Sequence, residues 1–162
     1  MVLNMQIRKS FTLKEAKLLI PEIRELLINI NARLDDYIYK IDNLKLQYYK
    51  IANETGIENI KLSSSRFDLN YLDQEKLKDL FDEIKFYENI SKAEVIEVVE
   101  NIMDRGIILR DLRTGLLDFP AFDQNLLYYL CWRIEEDDIH WWHTRNESFI
   151  NRKPIASLIE FI

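Results

Sequence analysis

From Leu13 the chain places an apolar residue at alternating intervals of three and four: Leu13, Ala16, Ile20, Ile23, Leu27, Ile30, Leu34, Tyr37, Ile41, Leu44, Tyr48 and Ile51. That spacing keeps one stripe of a helix facing a partner along a left-handed supercoil, so it predicts a long helix with a heptad seam. Thr12 stands where a cap belongs, with Glu15 three residues on to complete a capping box and Phe11 in the staple position. Pro21 conflicts with the pattern, because it lacks a backbone donor and crowds the preceding turn. It predicts either a kink near Leu18 or a helix that begins at Pro21. Asn53 to Gly56 end the segment, and about 40 residues at 1.5 Å rise would span roughly 60 Å.

A second stripe runs through Leu77, Leu80, Ile84, Tyr87, Ser91, Val95, Val98 and Ile102, slipping once at Ser91. It predicts a helix from about Asn70 to Arg105, with Gly106 as its left-handed C-terminal cap. Residues 54–69, with Ser63, Ser64 and Ser65, read as the loop that folds the two helices into an antiparallel hairpin. A further apolar band flanks each seam: Leu19, Leu26, Ile38 and Leu46 on the first helix, and Phe81, Phe86, Ile90 and Val99 on the second. One hairpin cannot cover two bands on each helix. The band therefore reads as a partner surface, most simply for a second copy that makes a four-helix assembly, with cover by the C-terminal segment as the alternative.

After Gly106 the period becomes that of strands. Ile107–Arg110 and Leu116–Phe119 flank a hairpin loop at residues 111–115 that ends in glycine, and Pro120 is expected to stop the second strand. Leu126–Arg133 is apolar almost throughout, as in a strand covered on both faces. Glu135–Asp138 reads as a solvated acidic turn, and Ile139–His143 as a further strand. The tail from Ser148 is expected to dock Ile155, Leu158, Ile159 and Phe161 on the core. The predicted fold class is α+β: a coiled-coil-like antiparallel helical hairpin (residues 1–105) packed with a small antiparallel β-meander of three or four strands (residues 106–162) in one structural domain.

At 162 residues with 48% apolar composition the chain can bury a core without disulfides, and its single Cys cannot form an internal bridge. With no long apolar run and no secretory leader to read, the expectation is a soluble cytoplasmic protein that does not enter membranes. The net charge of −6 is unevenly spread: 9 Lys/Arg against 7 Asp/Glu in residues 1–55, 7 against 12 in residues 56–105, and 6 against 9 in residues 106–162. No basic stripe could neutralise a row of phosphates, so nucleic acid is not expected as a partner.

The candidate chemistry gathers in the last third. All three Trp, both His and the Cys fall between Gly106 and His143, with Asp118 and His143 set among apolar neighbours. Charges in such surroundings are unfavourable unless paired, which marks them as site candidates. Asp118, Glu136, His143 and Arg152, with Arg110, Asp111 and Arg133 nearby, could line a polar pocket walled by Trp132, Trp142 and Phe119. There Arg152 and Arg133 would hold an anionic group, and His143 with Asp118 or Glu136 would form an oriented acid–base pair. The same residues equally suit a buried network that locks tail, meander and helices together. His140 and His143, three apart on a strand, would point to opposite faces, so a joint metal site is disfavoured; His143 with Asp118 and Glu136 is the weak metal candidate. Cys131 reads as a buried, inert thiol. No phosphate-cradling loop, nucleophile elbow or paired Cys ligands occur, and no cofactor is predicted.

The chain resembles an uncharacterised prokaryotic family, domain of unknown function 2203. The resemblance rests on Phe11-Thr12-Leu13-Lys14-Glu15-Ala16, Leu19-Ile20-Pro21, Gly115-Leu116-Leu117-Asp118-Phe119-Pro120, Leu130-Cys131-Trp132, Glu136, Trp142-His143 and Arg152-Lys153-Pro154. It covers nearly the whole chain. The departures are Glu135, Ser148 and Asn151, where the family pattern has glycine. The resemblance brings no activity with it. The expected function is a non-enzymatic interaction or scaffold protein that self-associates as a homodimer through its helices. The alternative is a small-molecule- or metal-binding protein, or a hydrolase-like enzyme, using the polar cluster.

Overall fold

The computed structural model describes residues 9–55, 71–123, 126–147 and 149–158. The expected interhelical loop falls outside them from Gly56 onward, as do Ser148, Ile159 and Phe161. Two long helices, α1 (Leu13–Glu54) and α2 (Tyr71–Asp104), precede five strands: β1 (Ile108–Asp111), β2 (Leu116–Asp123), β3 (Leu126–Trp132), β4 (Trp141–Thr144) and β5 (Lys153–Pro154). The fold is α+β, and the chain divides into two compact units, residues 1–31 with 95–162, and residues 32–94.

In the unit of residues 32–94 the helices pack antiparallel along the predicted seam. Leu44, Leu80 and Ile84 are buried, with Ile41, Tyr48, Ile51 and Tyr87 against them. The Tyr37 hydroxyl donates to Glu94 Oε1 (2.9 Å), Arg33 pairs with the same carboxylate, and Lys45 lies 3.8 Å from Glu88. Among the described residues of this unit, several large apolar side chains that flank the stripe are not covered. Ile38, Tyr39, Leu46, Phe81 and Phe86 stay exposed, Leu46 at 70% and Tyr39 at 69%.

In the unit of residues 1–31 and 95–162, α1 starts at Leu13 and runs through Pro21, which corrects the expectation of a helix starting there. The capping box closes as the sequence implies: Thr12 N–H donates to Glu15 Oε2 (2.8 Å) and Glu15 N–H to Thr12 Oγ1 (3.2 Å). Phe11 and Ala16 are buried as the staple pair, and the Phe11 ring meets Phe119 edge-on at 5.4 Å. At the end of α2, Gly106 takes φ +85° and its N–H reaches the Met103 carbonyl (2.9 Å), the left-handed cap. Leu19, Leu26 and Val99 of the flanking band are half-buried in this unit.

The sheet is an antiparallel meander in the order β1-β2-β3-β4-β5, so the expected three or four strands become five. The fifth is the short Lys153–Pro154 segment, which pairs with Trp141 and Trp142. Pro120 does not stop β2; it pairs with Tyr129 in mid-strand. The reason is its place beyond the last β1 pair. Its carbonyl accepts from Phe11 N–H (2.8 Å), so its missing N–H points to the same outer side and no ladder bond to β3 is lost. One face of the sheet buries Leu117, Phe119, Leu130, Trp132 and Trp142 in the core of the unit. Because side chains alternate, Asp118, Cys131 and His143 fall on the other face.

The acidic turn at residues 134–138 is held to α1 by two side chains, Lys17, whose Nζ pairs with Asp138 Oδ2 (2.5 Å), and Arg24. Arg24 donates to the carbonyls of Ile134 (2.5 Å), Glu136 (2.6 Å) and Asp137 (3.3 Å), and its guanidinium lies 5.0 Å from the Trp132 ring. The tail follows through two short 3-10 turns, Phe149–Asn151 and Ile155–Ser157, and Leu158 is buried as expected.

Candidate functional site

Strand register builds the site. Asp118 on β2 lies opposite Cys131 on β3, and His143 on β4 lies opposite Tyr129, two residues before Cys131 on the same face. Arg110 on β1 sits two residues along from Ile108, the partner of Asp118. Three separate hairpin registers thus bring residues far apart in sequence to one patch.

Asp118 is 2% exposed and uses both oxygens. His143 Nε2 donates to Oδ1 (3.0 Å) and Arg110 Nε donates to Oδ2 (2.7 Å). The other ring nitrogen of His143, Nδ1, donates to the Thr144 carbonyl (2.9 Å). Both partners of the ring are acceptors, so the geometry describes a doubly protonated imidazolium beside a carboxylate. The electrostatics agree. Burial raises the Asp118 carboxyl, but the hydrogen bonds and charges of His143 and Arg110 outweigh it and hold it below the ordinary value. Burial likewise lowers His143, but the hydrogen bond and charge of Asp118 outweigh it and the net direction is upward. The Tyr129 ring stacks on His143 at 5.3 Å.

Cys131, 1% exposed, completes the patch. Burial and the Asp118 charge push its thiol up to about 12. The patch floors a cavity of about 290 Å³ whose remaining walls are Arg110, Leu116, Arg145, Glu147 and Phe149. Trp132, Trp142 and Phe119, expected as walls, belong to the core face instead. Glu147 is fixed over the site: its carboxylate accepts from Thr144 N–H and Oγ1 (both 2.9 Å) and pairs with Lys153 (2.9 Å), and these contacts lower its carboxyl to about 2.

The other expected members form a separate cluster. Arg152 Nη1 donates to Glu136 Oε1 (2.9 Å), Glu136 Oε2 accepts from Arg133 N–H (2.8 Å), and Arg133 pairs with Glu135. The Arg152 guanidinium lies 3.8 Å from the Phe149 ring, and that of Arg133 lies 5.1 Å from it. Both arginines are thus engaged by protein groups rather than aimed at an anion in the cavity. The two clusters touch through Cys131, whose Sγ is 3.8 Å from Arg152 Nη1. Asp111 caps its own hairpin turn, accepting from Thr114 N–H (2.6 Å). His140 is exposed and bonds Asp137 (2.8 Å), away from His143.

Among the described residues, the donors close enough to share a metal ion are Asp118, Cys131 and His143, with ligand atoms all within 4.8 Å of one another. Glu136, part of the weak metal set read from the sequence, is replaced there by Cys131. Its apolar neighbours Leu130 and Trp132 concealed that thiol, and the signal that could have found it is the pairing of a Cys with an Asp across a hairpin.

A family model described as an uncharacterized conserved protein (DUF2203) matches residues 9–155 of the chain. No curated protein and no solved structure matches it. Among the described residues no helix is long and apolar enough to cross a membrane.

Proposed function

The chain belongs to the DUF2203 family, which carries no assigned activity, and from its own surface we propose that it is a non-enzymatic assembly protein whose helices dock on a second copy of themselves. The observation that supports this reading is the apolar residue left in solvent by the helix pair of residues 32–94. Ile38, Tyr39 and Leu46 on α1 fall within about 100° of helix circumference at 3.6 residues per turn, and all are exposed, as are Phe81 and Phe86 on α2. Clustered large apolar side chains mark interaction surfaces in soluble proteins.

A second copy fits this surface better than an unrelated partner. Both helices of the pair carry unburied apolar residues, so a twofold axis would set like against like and turn a two-helix layer into four helices around one core. Leu46, at 70% exposure, would be a central contact.

Sedimentation velocity of the full chain across micromolar concentrations tests the proposal. A dimer that becomes monomeric in Leu46→Glu with Phe86→Glu, with unchanged helical circular dichroism, is the expected result. A wild-type monomer at every concentration, or a dimer indifferent to both substitutions, would overturn it.

A further inference from the structure

Three strands deliver one potential metal donor each to the floor of a single cavity: an oxygen from Asp118, a sulfur from Cys131 and a nitrogen from His143. We propose that these three residues bind a divalent transition-metal ion of the zinc class, with a fourth coordination position open to the cavity.

The geometry is close to what such an ion needs. Bond lengths of about 2.0–2.1 Å to nitrogen and oxygen and about 2.3 Å to sulfur put tetrahedral donors roughly 3.4–3.6 Å apart. His143 Nε2 and Asp118 Oδ1 stand at 3.0 Å, and no pair of the three donors exceeds 4.8 Å. The adjustment is within the reach of side-chain torsions.

The surrounding bonds already orient the donors. A metal-binding histidine generally gives its other ring N–H to a carbonyl or carboxylate, which directs the free nitrogen at the ion. His143 Nδ1 donates to the Thr144 carbonyl and leaves Nε2 facing the other two donors. Arg110 holds Asp118 Oδ2 and leaves Oδ1 for the ion. Arg152, 3.8 Å from the sulfur, places positive charge beside the future thiolate.

Charge balance permits the exchange in a buried place. The three donors of the metal-free patch are an imidazolium, a carboxylate and a thiol, which sum to zero, beside an Arg110 guanidinium that stays positive in either state. Entry of a dication displaces one proton from Nε2 and one from the thiol, leaving neutral imidazole, carboxylate and thiolate around the ion, again zero. Burial therefore does not oppose the loaded state by net charge. The mixed sulfur, nitrogen and oxygen set favours zinc or cobalt over magnesium or calcium, which take oxygen ligands. With three protein donors, the fourth position falls to water or a small anion from the cavity, where Arg110 and Arg145 stand.

The test is titration of full-length, chelator-stripped, reduced protein with cobalt(II) under anaerobic conditions. One equivalent should bind with the intense visible bands of tetrahedral cobalt and a near-ultraviolet thiolate-to-cobalt charge-transfer band. Cys131→Ser, nearly isosteric and so expected to fold, should lose the charge-transfer band and bind at least tenfold more weakly. His140→Ala should change neither. No stoichiometric binding, a weak octahedral spectrum, an unchanged charge-transfer band in Cys131→Ser, or loss of binding in His140→Ala would each overturn the proposal.

Discussion

Replacing Asp118 by Asn in metal-free protein removes a buried charge and keeps the shape. The wild-type carboxylate faces two donors, His143 Nε2 at 3.0 Å and Arg110 Nε at 2.7 Å, and the Asp118 and His143 side chains are 3% and 6% exposed. Breaking such a pair leaves an uncompensated buried imidazolium, which costs about 3–5 kcal/mol. That would be a large share of the total stability, which is on the order of 5–15 kcal/mol for a folded domain. The pH dependence carries the sharper prediction. His143 is raised in the folded state, so its contribution is fully present below the unfolded value near 6.5 and is lost as pH rises through the folded value. Asp118 is lowered, so its contribution is present above 3.8 and is lost as pH falls through its folded value. The pair therefore stabilises most in mildly acid solution. In Asp118→Asn both raising influences of Asp118 vanish while burial and the Arg110 charge still lower His143 against the remaining Thr144 bond, so His143 shifts downward and that variant gains stability as pH rises toward the unfolded value near 6.5. Urea unfolding at pH 5.5 and pH 8 reads both effects. The loss should be about 3–5 kcal/mol at pH 5.5 and closer to 1–2 kcal/mol at pH 8, where a neutral imidazole needs only a hydrogen-bond partner. A loss under about 1 kcal/mol at pH 5.5, or a larger loss at pH 8, would refute the ion-pair reading.

Other positions give independent checks. Leu27→Ala, at a fully buried seam position, should cost about 2–5 kcal/mol in denaturant unfolding, whereas Leu18→Ala, at 72% exposure, should stay within about 0.5 kcal/mol. Gly115→Ala should destabilise by roughly 1–3 kcal/mol, because φ is +60° and a Cβ there would stand 2.8 Å from Ile134 Cβ; a neutral result would mean the turn is not constrained as described. Cys131 in metal-free native protein should resist alkylation at pH 8 and react fully in denaturant, since its thiol is pushed up to about 12 and buried; rapid native labelling would contradict this. Glu147, lowered to about 2, stabilises above its unfolded value of 4.5 and loses that effect as pH falls toward 2, so the melting-temperature gap between wild type and Glu147→Gln should be constant above pH 5 and shrink below 4.5.

Much of this architecture was determined locally and was legible in the sequence. The seam from Leu13 to Ile51 is buried or half-buried at all twelve positions. The Thr12–Glu15 box and the Gly106 cap depend on neighbours three or four residues away, so local chemistry suffices for them. Pro120 misled because a proline is harmless or harmful according to which side of its strand lacks a partner, and that follows from where β1 ends and where Phe11 lies. The candidate site was legible as a set of residues but not as a grouping. Asp118 meets Cys131 and His143, while Glu136 meets Arg152, through registers set by the β2–β3 and β3–β4 pairings. A slip of one residue in either pairing would turn these side chains to the opposite face. The sequence by itself determined the helices, their caps and the ionisable residues at issue, because those depend on short-range periodicity and backbone chemistry. Only the tertiary structure decided which charge neutralises which and that a thiol joins them, because burial and strand register act between residues that the chain keeps far apart.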